Sequence, residues 1–251
     1  MRRGFSLVEL SIVLVILGLL VGGILAGRSL IRASELRAVT TEFDRYRTAT
    51  LAFKDKYFAL PGDMPNATSF WGKDSSMCNW ATGNVGAPGT CNGNGDGMIS
   101  VTSSLERHRF WQHMSFSALI EGDYTGLGSD SPSGWEVTPG INAPISKFNP
   151  SAGWSASANP TPHASQFNVD YGNAFFFGAK VSNSYLRAPV ATPENAWNID
   201  TKIDDGNPGS GRFLANANNS CTNAATVNDF SASYRLNIST VQCALIFRKV
   251  F

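Results

Sequence analysis

A chain of 251 residues with net charge +1 and 16% charged residues has room for one sizeable core or two small ones, and it lacks the basic balance of a nucleic-acid surface. Its 24 Gly and 12 Pro point to a loop-rich, extracytoplasmic protein, while 11% aromatic residues exclude wholesale disorder. The first element is MRRGFSLVELSIVLVILGLLVGGILAG, in which Phe5 to Gly27 is a 23-residue apolar run broken by one charge, Glu9. As a helix this run is about 35 Å long, enough to cross a bilayer core. Arg2 and Arg3 precede it and hold the N-terminus on the cytoplasmic side. A removable signal peptide would have a shorter apolar region ending in a small-x-small site. Here the run continues instead into a polar, helix-compatible stretch, Arg28 to Tyr57. A carboxylate inside a membrane helix costs about 2.5–3.5 kcal/mol, so Glu9 is expected to have a functional partner.

The segment Gly4-Phe5-Ser6-Leu7-Val8-Glu9-Leu10 resembles the class III leader of type IV prepilins and type II secretion pseudopilins. The resemblance implies cleavage between Gly4 and Phe5 by a prepilin peptidase and N-methylation of the new terminal Phe5. It also implies a role for Glu9 in assembly, pairing with the terminal amine of a neighbouring subunit. The electrostatics agree independently. A buried carboxylate is tolerable once it meets a cation, and cleavage creates that cation at Phe5. Within one helix the Phe5 amine and Glu9 are also i, i+4 neighbours, so a self-pair could shield the charge before assembly.

Leu36, Val39, Phe43, Tyr46, Thr50, Phe53 and Tyr57 recur at 3-4-3-4 spacing, one face of a helix. Arg37, Glu42, Asp44, Arg45, Arg47, Lys54, Asp55 and Lys56 are assigned to its remaining surface. With no proline from Phe5 to Tyr57, the pattern predicts a single helix of about 53 residues, apolar all round in its first half and amphipathic in its second. A short coiled coil would show a similar stripe. Gly18, Gly22, Gly23 and Gly27 weaken this helix, and serve either local unwinding or close helix packing. Leu60-Pro61-Gly62-Asp63-Met64-Pro65 ends it, because Pro61 disfavours helical geometry at Leu60. KYFALPGDMPNA resembles the junction in a subset of large pilin-like proteins.

Beyond it, residues 72–97 read as an ordered loop and 104–121 as a helix stopped by Gly122. Residues 126–166 read as a long excursion. Short strands are expected at 173–181, 234–238 and 242–249, with a short helix around Pro193 to Ile199. The fold class is therefore α+β, a type IV pilin-like lollipop with a long N-terminal helix packed on a small antiparallel sheet with extended loops. The organisation is leader 1–4, membrane or filament-core helix 5–27, amphipathic half 28–60 and head domain 61–251.

Cys78, Cys91, Cys221 and Cys243 allow three connectivities, of which the local pairs Cys78–Cys91 and Cys221–Cys243 are the economical choice. Four reduced thiols are the alternative, but an even count in a chain sent across a membrane favours oxidation. Asn92, Asn94 and Asp96 stand at alternate positions before Gly97, with the Met98 carbonyl next, as in a calcium loop. The twelfth position is Ser103 rather than Glu, and Glu106 is three residues further. Calcium is the one cofactor expected, against the plainer reading of an Asn-Gly/Asp-Gly turn. The stretch Asp200 to Asn207 could also coordinate a cation, but Lys202 and the irregular spacing favour a solvated acidic turn. The tryptophans (Trp71, Trp80, Trp111, Trp135, Trp154 and Trp197), with Phe175–Phe177, form either core or a ligand-binding patch. His108, His113 and His163 show no H-E-x-x-H arrangement, and no nucleophile elbow, P-loop or dinucleotide fingerprint is present, so no enzyme is expected.

These readings converge on a structural subunit of a type IV pilus-class filament. It would start as a single-pass protein of the bacterial inner membrane, N-terminus cytoplasmic, and end in an extracellular pilus or a periplasmic pseudopilus. Its expected partners are other copies or other pilins, prepilin peptidase, an inner-membrane assembly platform and the membrane itself, with no nucleic acid. The alternatives are a type II secretion pseudopilin and a minor tip adhesin.

Overall fold

The computed structural model describes residues 6–73, 78, 89–100, 106–128, 135–158, 163–217 and 220–251. Helix α1 runs unbroken from Leu7 to Tyr57, 51 residues, through all four stem glycines. Phe58 closes it in the left-handed region (φ 55°), its N–H donating to the Lys54 carbonyl two residues before Leu60-Pro61. Four-residue α2 (Thr68–Trp71), α3 (Glu106–Phe116) and α4 (Pro193–Ile203) follow. The strands are β1 (Ala152–Ala158), β2 (Asn173–Ala179), β3 (Phe213–Ala215) and β4 (Leu245–Phe247). They form one antiparallel sheet in the order β1-β2-β4-β3. The layout is the α+β one of type IV pilins: a long apolar helix with a small antiparallel sheet.

Alternation sorts the sheet into two faces. Trp154, Phe175, Phe177, Phe213, Leu245 and Phe247 belong to the main core with α1. Phe176, Leu214 and Ile246 point the other way, onto Phe167, Tyr171 and Ala232 from the loops. The predicted α1 stripe meets the first face. Leu36, Val39, Tyr46, Thr50 and Phe53 are buried, Phe43 stacks on Phe247 at 4.4 Å, and Tyr46 sets its edge against Trp111 and Trp154 at 5.0 and 5.8 Å.

Glu42 departs from the expected charged surface. It is buried, accepting from Ser146 Oγ (2.7 Å), the Lys147 amide (2.8 Å) and Trp154 Nε1 (2.8 Å). Three donors make a buried carboxylate tolerable, and this one ties α1 to β1 and the loop before it. Helix α3 also departs from expectation. It stops at Phe116 rather than near Gly122, with Ala118 turning left-handed and the Leu119 amide closing on the Met114 carbonyl. It has no polar face: every residue from Glu106 to Met114 is buried, because loops cover the side away from α1 and β1.

Strand β1 lies inside the predicted excursion. Its AGWSASA sequence lacks β-branched residues, and its serines are buried but used: Ser155 Oγ accepts the Leu186 amide and Ser157 Oγ an Arg107 N–H. The strand expected at 234–238 reduces to a single bridge, Tyr234 with Thr222, and that at 242–249 shrinks to β4. Helix α4 extends to Ile203, started by Thr192, whose hydroxyl accepts the Asn195 amide, and by Pro193 in the first turn.

Two buried histidines are structural. His113 Nδ1 accepts the Gly62 amide at 2.9 Å, and its Nε2 meets Thr90 Oγ1 at 2.9 Å. That geometry needs a bare Nδ1, so protonation would set two N–H groups face to face. The Gly62 turn is as constrained: φ is +83°, and a Cβ would run into the Glu106 carbonyl oxygen. His108 donates from Nε2 to the Glu136 carbonyl at 3.2 Å. Burial, then the neighbouring arginines, lowers both histidines to about 3. Asp200 moves the opposite way: burial lifts it to about 7, although the Tyr234 hydroxyl and Gly206 amide donate to it.

Between pH 6.5 and 3 the unfolded chain therefore binds protons at both histidines that the folded chain refuses, and stability falls as pH drops through that window. Asp200 opposes this, since its folded form holds a proton between about 3.8 and 7 that the unfolded form releases. Thermal melts of the full chain in detergent at pH 6.5 and pH 4 should show a shallower acid loss for His113→Gln than for the natural chain. Asp200→Asn should steepen the loss, and parallel pH profiles in all three would refute the assignment.

Candidate functional site

At the head of α1, Ser6 is the N-cap. Its hydroxyl accepts the Val8 amide at 3.2 Å, and Glu9 Oε2 reaches back to accept the Ser6 amide at 2.8 Å. This is a reciprocal capping box. The Ser6-x-x-Glu9 spacing carried that signal, which the membrane reading of Glu9 passed over. The box gives the carboxylate a donor in its own chain, and among the described residues no counter-charge pairs with it. Around it the helix is bare: Leu7 is 86% exposed and Leu19 73%, and Leu30 and Ile31 are still exposed. The most apolar 18-residue window of α1 has mean hydropathy 2.7 and no buried residue. Gly4 and Phe5, on either side of the expected cut, lie outside the described residues.

The second candidate is the loop following Cys91. Oxygens of Asp63, Asp96 and Glu106 all lie within 4.8 Å of one another. Asp63 comes from the Leu60–Pro65 turn and accepts the amides of Gly95 (2.6 Å) and Gly97 (2.8 Å). Glu106, fully buried at the start of α3, accepts those of Asn94 (3.1 Å) and Ser100 (2.7 Å). Asp96 accepts the Met98 amide at 2.8 Å and the Asn94 side-chain amide at 2.8 Å. The loop sits hard against the turn, since a Cβ on Gly93 would collide with the Asp63 backbone. Burial raises the Asp63 carboxyl, while the Gly97 and Gly95 amides pull it back.

The expected ligand set is thus rearranged. Asn94, Asp96 and Glu106 converge, but the Asn92 side chain turns away to accept the Thr68 amide at 2.9 Å. Met98 contributes an amide to Asp96 rather than standing as an established oxygen donor. Asp63, invisible to a local motif because it lies 33 residues before Asp96, joins instead. Three carboxylates are a donor set suited to a hard divalent cation, while the Asn94 oxygen accepts the Asp96 amide at 3.0 Å and its NH2 faces the Asp96 carboxylate.

Cys91 is bonded to Cys78, and Cys221 to Cys243. Most of residues 72–97, expected as an ordered loop, lies outside the described residues (74–77 and 79–88). The expected solvated turn at Asp200–Asn207 is a folded clasp. Asp200 is buried against Tyr234, Asp204 accepts the Arg212 and Phe213 amides, and Asp205 accepts the Asn207 amide and the Ser210 hydroxyl. Trp111, Trp154 and Phe175–Phe177 are core residues rather than a surface patch, Trp197 is 38% exposed, and Trp80 lies outside the described residues.

Residues 1–25 match the family described as the prokaryotic N-terminal methylation motif. No curated protein and no solved structure matches the chain significantly. The motif points to a structural subunit rather than an enzyme. Residues 1–25 carry the class III prepilin leader of type IV pilins and pseudopilins, which indicates a type IV pilin-like or pseudopilin protein.

Proposed function

We propose that the chain is a structural subunit of a type IV pilus-class filament. The precursor is anchored in the inner membrane through α1 and cut between Gly4 and Phe5 by prepilin peptidase. It is then methylated on Phe5 and polymerised through its stem by an inner-membrane assembly platform. The observation that supports this reading best is the bare apolar half of α1 directly following the leader motif. An apolar stretch of about 20 residues with no cover in its own chain needs lipid first and other stems afterwards.

Glu9 gives the assembly its register. Before cleavage it caps Ser6, and after cleavage the Phe5 amine of a neighbouring stem supplies the charge that the capping box lacks. In cells, Glu9→Leu should insert and mature normally but lower the yield of sheared filaments at least about tenfold; a normal yield would remove the role assigned to Glu9. A type II secretion pseudopilin is the second reading, because the same leader and stem serve both. Labelled chain in surface filaments supports the pilus, and label confined to the periplasm supports the pseudopilus.

For the loop after Cys91 we propose calcium, held by Asp63, Asp96 and Glu106, with the neighbouring Asn94 amide turning to present its oxygen. Calcium should raise the melting temperature of the full chain, and Asp96→Ala should abolish the shift. An identical melt with calcium and with chelator would leave the three carboxylates as acceptors for loop amides only.

A further inference from the structure

The second half of α1 carries two unlike flanks, one on either side of its outward face. On the first, a groove of about 860 Å³ runs between the helix and the ends of α4 and β4. Arg37 and Arg47 border it from α1, and Lys202, Arg212 and Arg248 from the facing wall, with Asp44 the one carboxylate among the lining residues. Ion pairs form elsewhere, at Arg32–Glu35, Arg45–Glu121, Lys180–Glu136 and Lys249–Asp170. Among the described residues none of the five groove cations takes part in one, and Arg47 Nε is buried with no acceptor. Asp204 and Asp205, close to Lys202 in the chain, are directed at the Arg212, Phe213 and Asn207 amides and the Ser210 hydroxyl. Like charges gathered without counter-ions repel one another, and a groove walled by them concentrates anionic groups.

On the opposite flank, Ala38, Thr41 and Arg45 border a hollow of about 260 Å³ closed by Glu121, Tyr124 and Ile145. Here the chain turns a corner, Glu121-Gly122-Asp123, with both carboxylates exposed, the Glu121 side chain at 93%. The corner is held in place, because the Ser115 hydroxyl donates to the Gly122 carbonyl and the Tyr124 hydroxyl to the Glu121 carbonyl at 3.2 Å. Arg45 approaches Glu121 only to 3.8 Å, an exposed pair that contributes little. Ile145 is exposed beside the corner, and Phe43, Phe247 and Val250 line the groove, so apolar surface accompanies the charge on both flanks.

A cationic groove and a protruding acidic corner on opposite flanks of one helix are complementary between copies, not within one. Such a head-to-tail contact repeats from copy to copy and builds a ring or a helical filament. The axial levels agree with the stem. Glu9 of one copy at the height of a neighbour's Phe5 offsets the two helices by four residues, about 6 Å. The Glu121 corner, level with Arg45 of its own helix, then faces Thr41 of that neighbour, between the groove's Arg37 and Arg47.

We propose that the Glu121–Asp123 corner of one copy docks in the cationic groove of the next, the copy whose Phe5 meets its Glu9. Arg37 and Lys202, both exposed, face the two carboxylates. The contact rests on the filament assembly proposed above and adds to it a second, charged joint outside the membrane segment.

Carbodiimide cross-linking of the full chain in native membranes and in sheared filaments tests the contact directly. This reagent joins a carboxylate to a lysine only where the two touch, and Lys202 is the one lysine lining the groove. A peptide pair joining Glu121 or Asp123 to Lys202 should be recovered from the covalent dimer. Since these residues sit on opposite flanks of one chain, the link reports two copies. In cells, Glu121→Lys/Asp123→Lys and Arg37→Glu/Lys202→Glu should each lower the yield of sheared filaments at least about tenfold, by setting like charges together. Combining all four should recover yield at least about threefold over either pair. The four positions are exposed, so the substitutions leave the core intact. Absence of the link, a link from Lys202 to a different acidic segment, or no recovery in the combination overturns the contact. Normal yield from Arg37→Glu/Lys202→Glu would leave the groove to some other anion and overturn it too. A natural chain that makes no surface filaments would fail the pilus reading alone; the link in membranes then decides the contact, its presence upholding it and its absence overturning it.

Discussion

One unbroken helix joins two solvents. The first half of α1 is largely apolar all round and bare, whereas the second half buries one face in the main core, and no proline or unwound turn separates them between Leu7 and Tyr57. Leaving a leucine-sized side chain in water rather than burying it costs about 1.5–3 kcal/mol, so a sleeve of this length cannot stay in water. It must sit in lipid or against other apolar helices. Because the helix is continuous, whatever holds the sleeve also holds the head. Gly18, Gly22, Gly23 and Gly27 do not interrupt it, and a side chain at any of them would meet nothing within 4 Å in the single chain. These glycines can allow close approach of neighbouring stems.

Two carboxylates on this helix show what burial demands of a charge. Glu42 is satisfied within the chain by a hydroxyl, an amide and an indole N–H, and it fastens the helix to the sheet. Among the described residues Glu9 has the Ser6 amide and no positive charge, at the head of a helix that is mostly apolar. The first is a finished structural joint. On the proposed reading the second is completed by a cation that cleavage creates on a neighbouring stem, which would connect helix chemistry to proteolysis and assembly.

Features carried by local spacing were legible in the sequence. The leader, the length of α1, its core stripe from Leu36 to Phe53 and the stop before Pro61 all follow from patterns within a few turns of helix. Features created by distant chain segments were not. Asp63 joins Asp96 and Glu106 only because the turn after α1 folds under the Cys91 loop. Glu42 looked like a surface residue because its three donors lie over 100 positions away. Strand β1 was hidden by Ala, Ser and Gly, whose pairing with β2 is decided by the neighbouring strand rather than by propensity. Helix α3 shows the same limit: its Arg and His residues are buried, each hydrogen-bonded at one or more atoms inside the protein, so polarity there did not mean exposure.

Whether the sleeve is kept is the question on which the account turns. Intact-mass and terminal-peptide mass spectrometry of the protein recovered from its native cells answers it. A chain that begins at Phe5 and carries one extra methyl group on that residue retains the sleeve together with Glu9, as the account predicts. A chain that still begins at Met1, or one that starts at Arg28 with the apolar segment discarded, would contradict it.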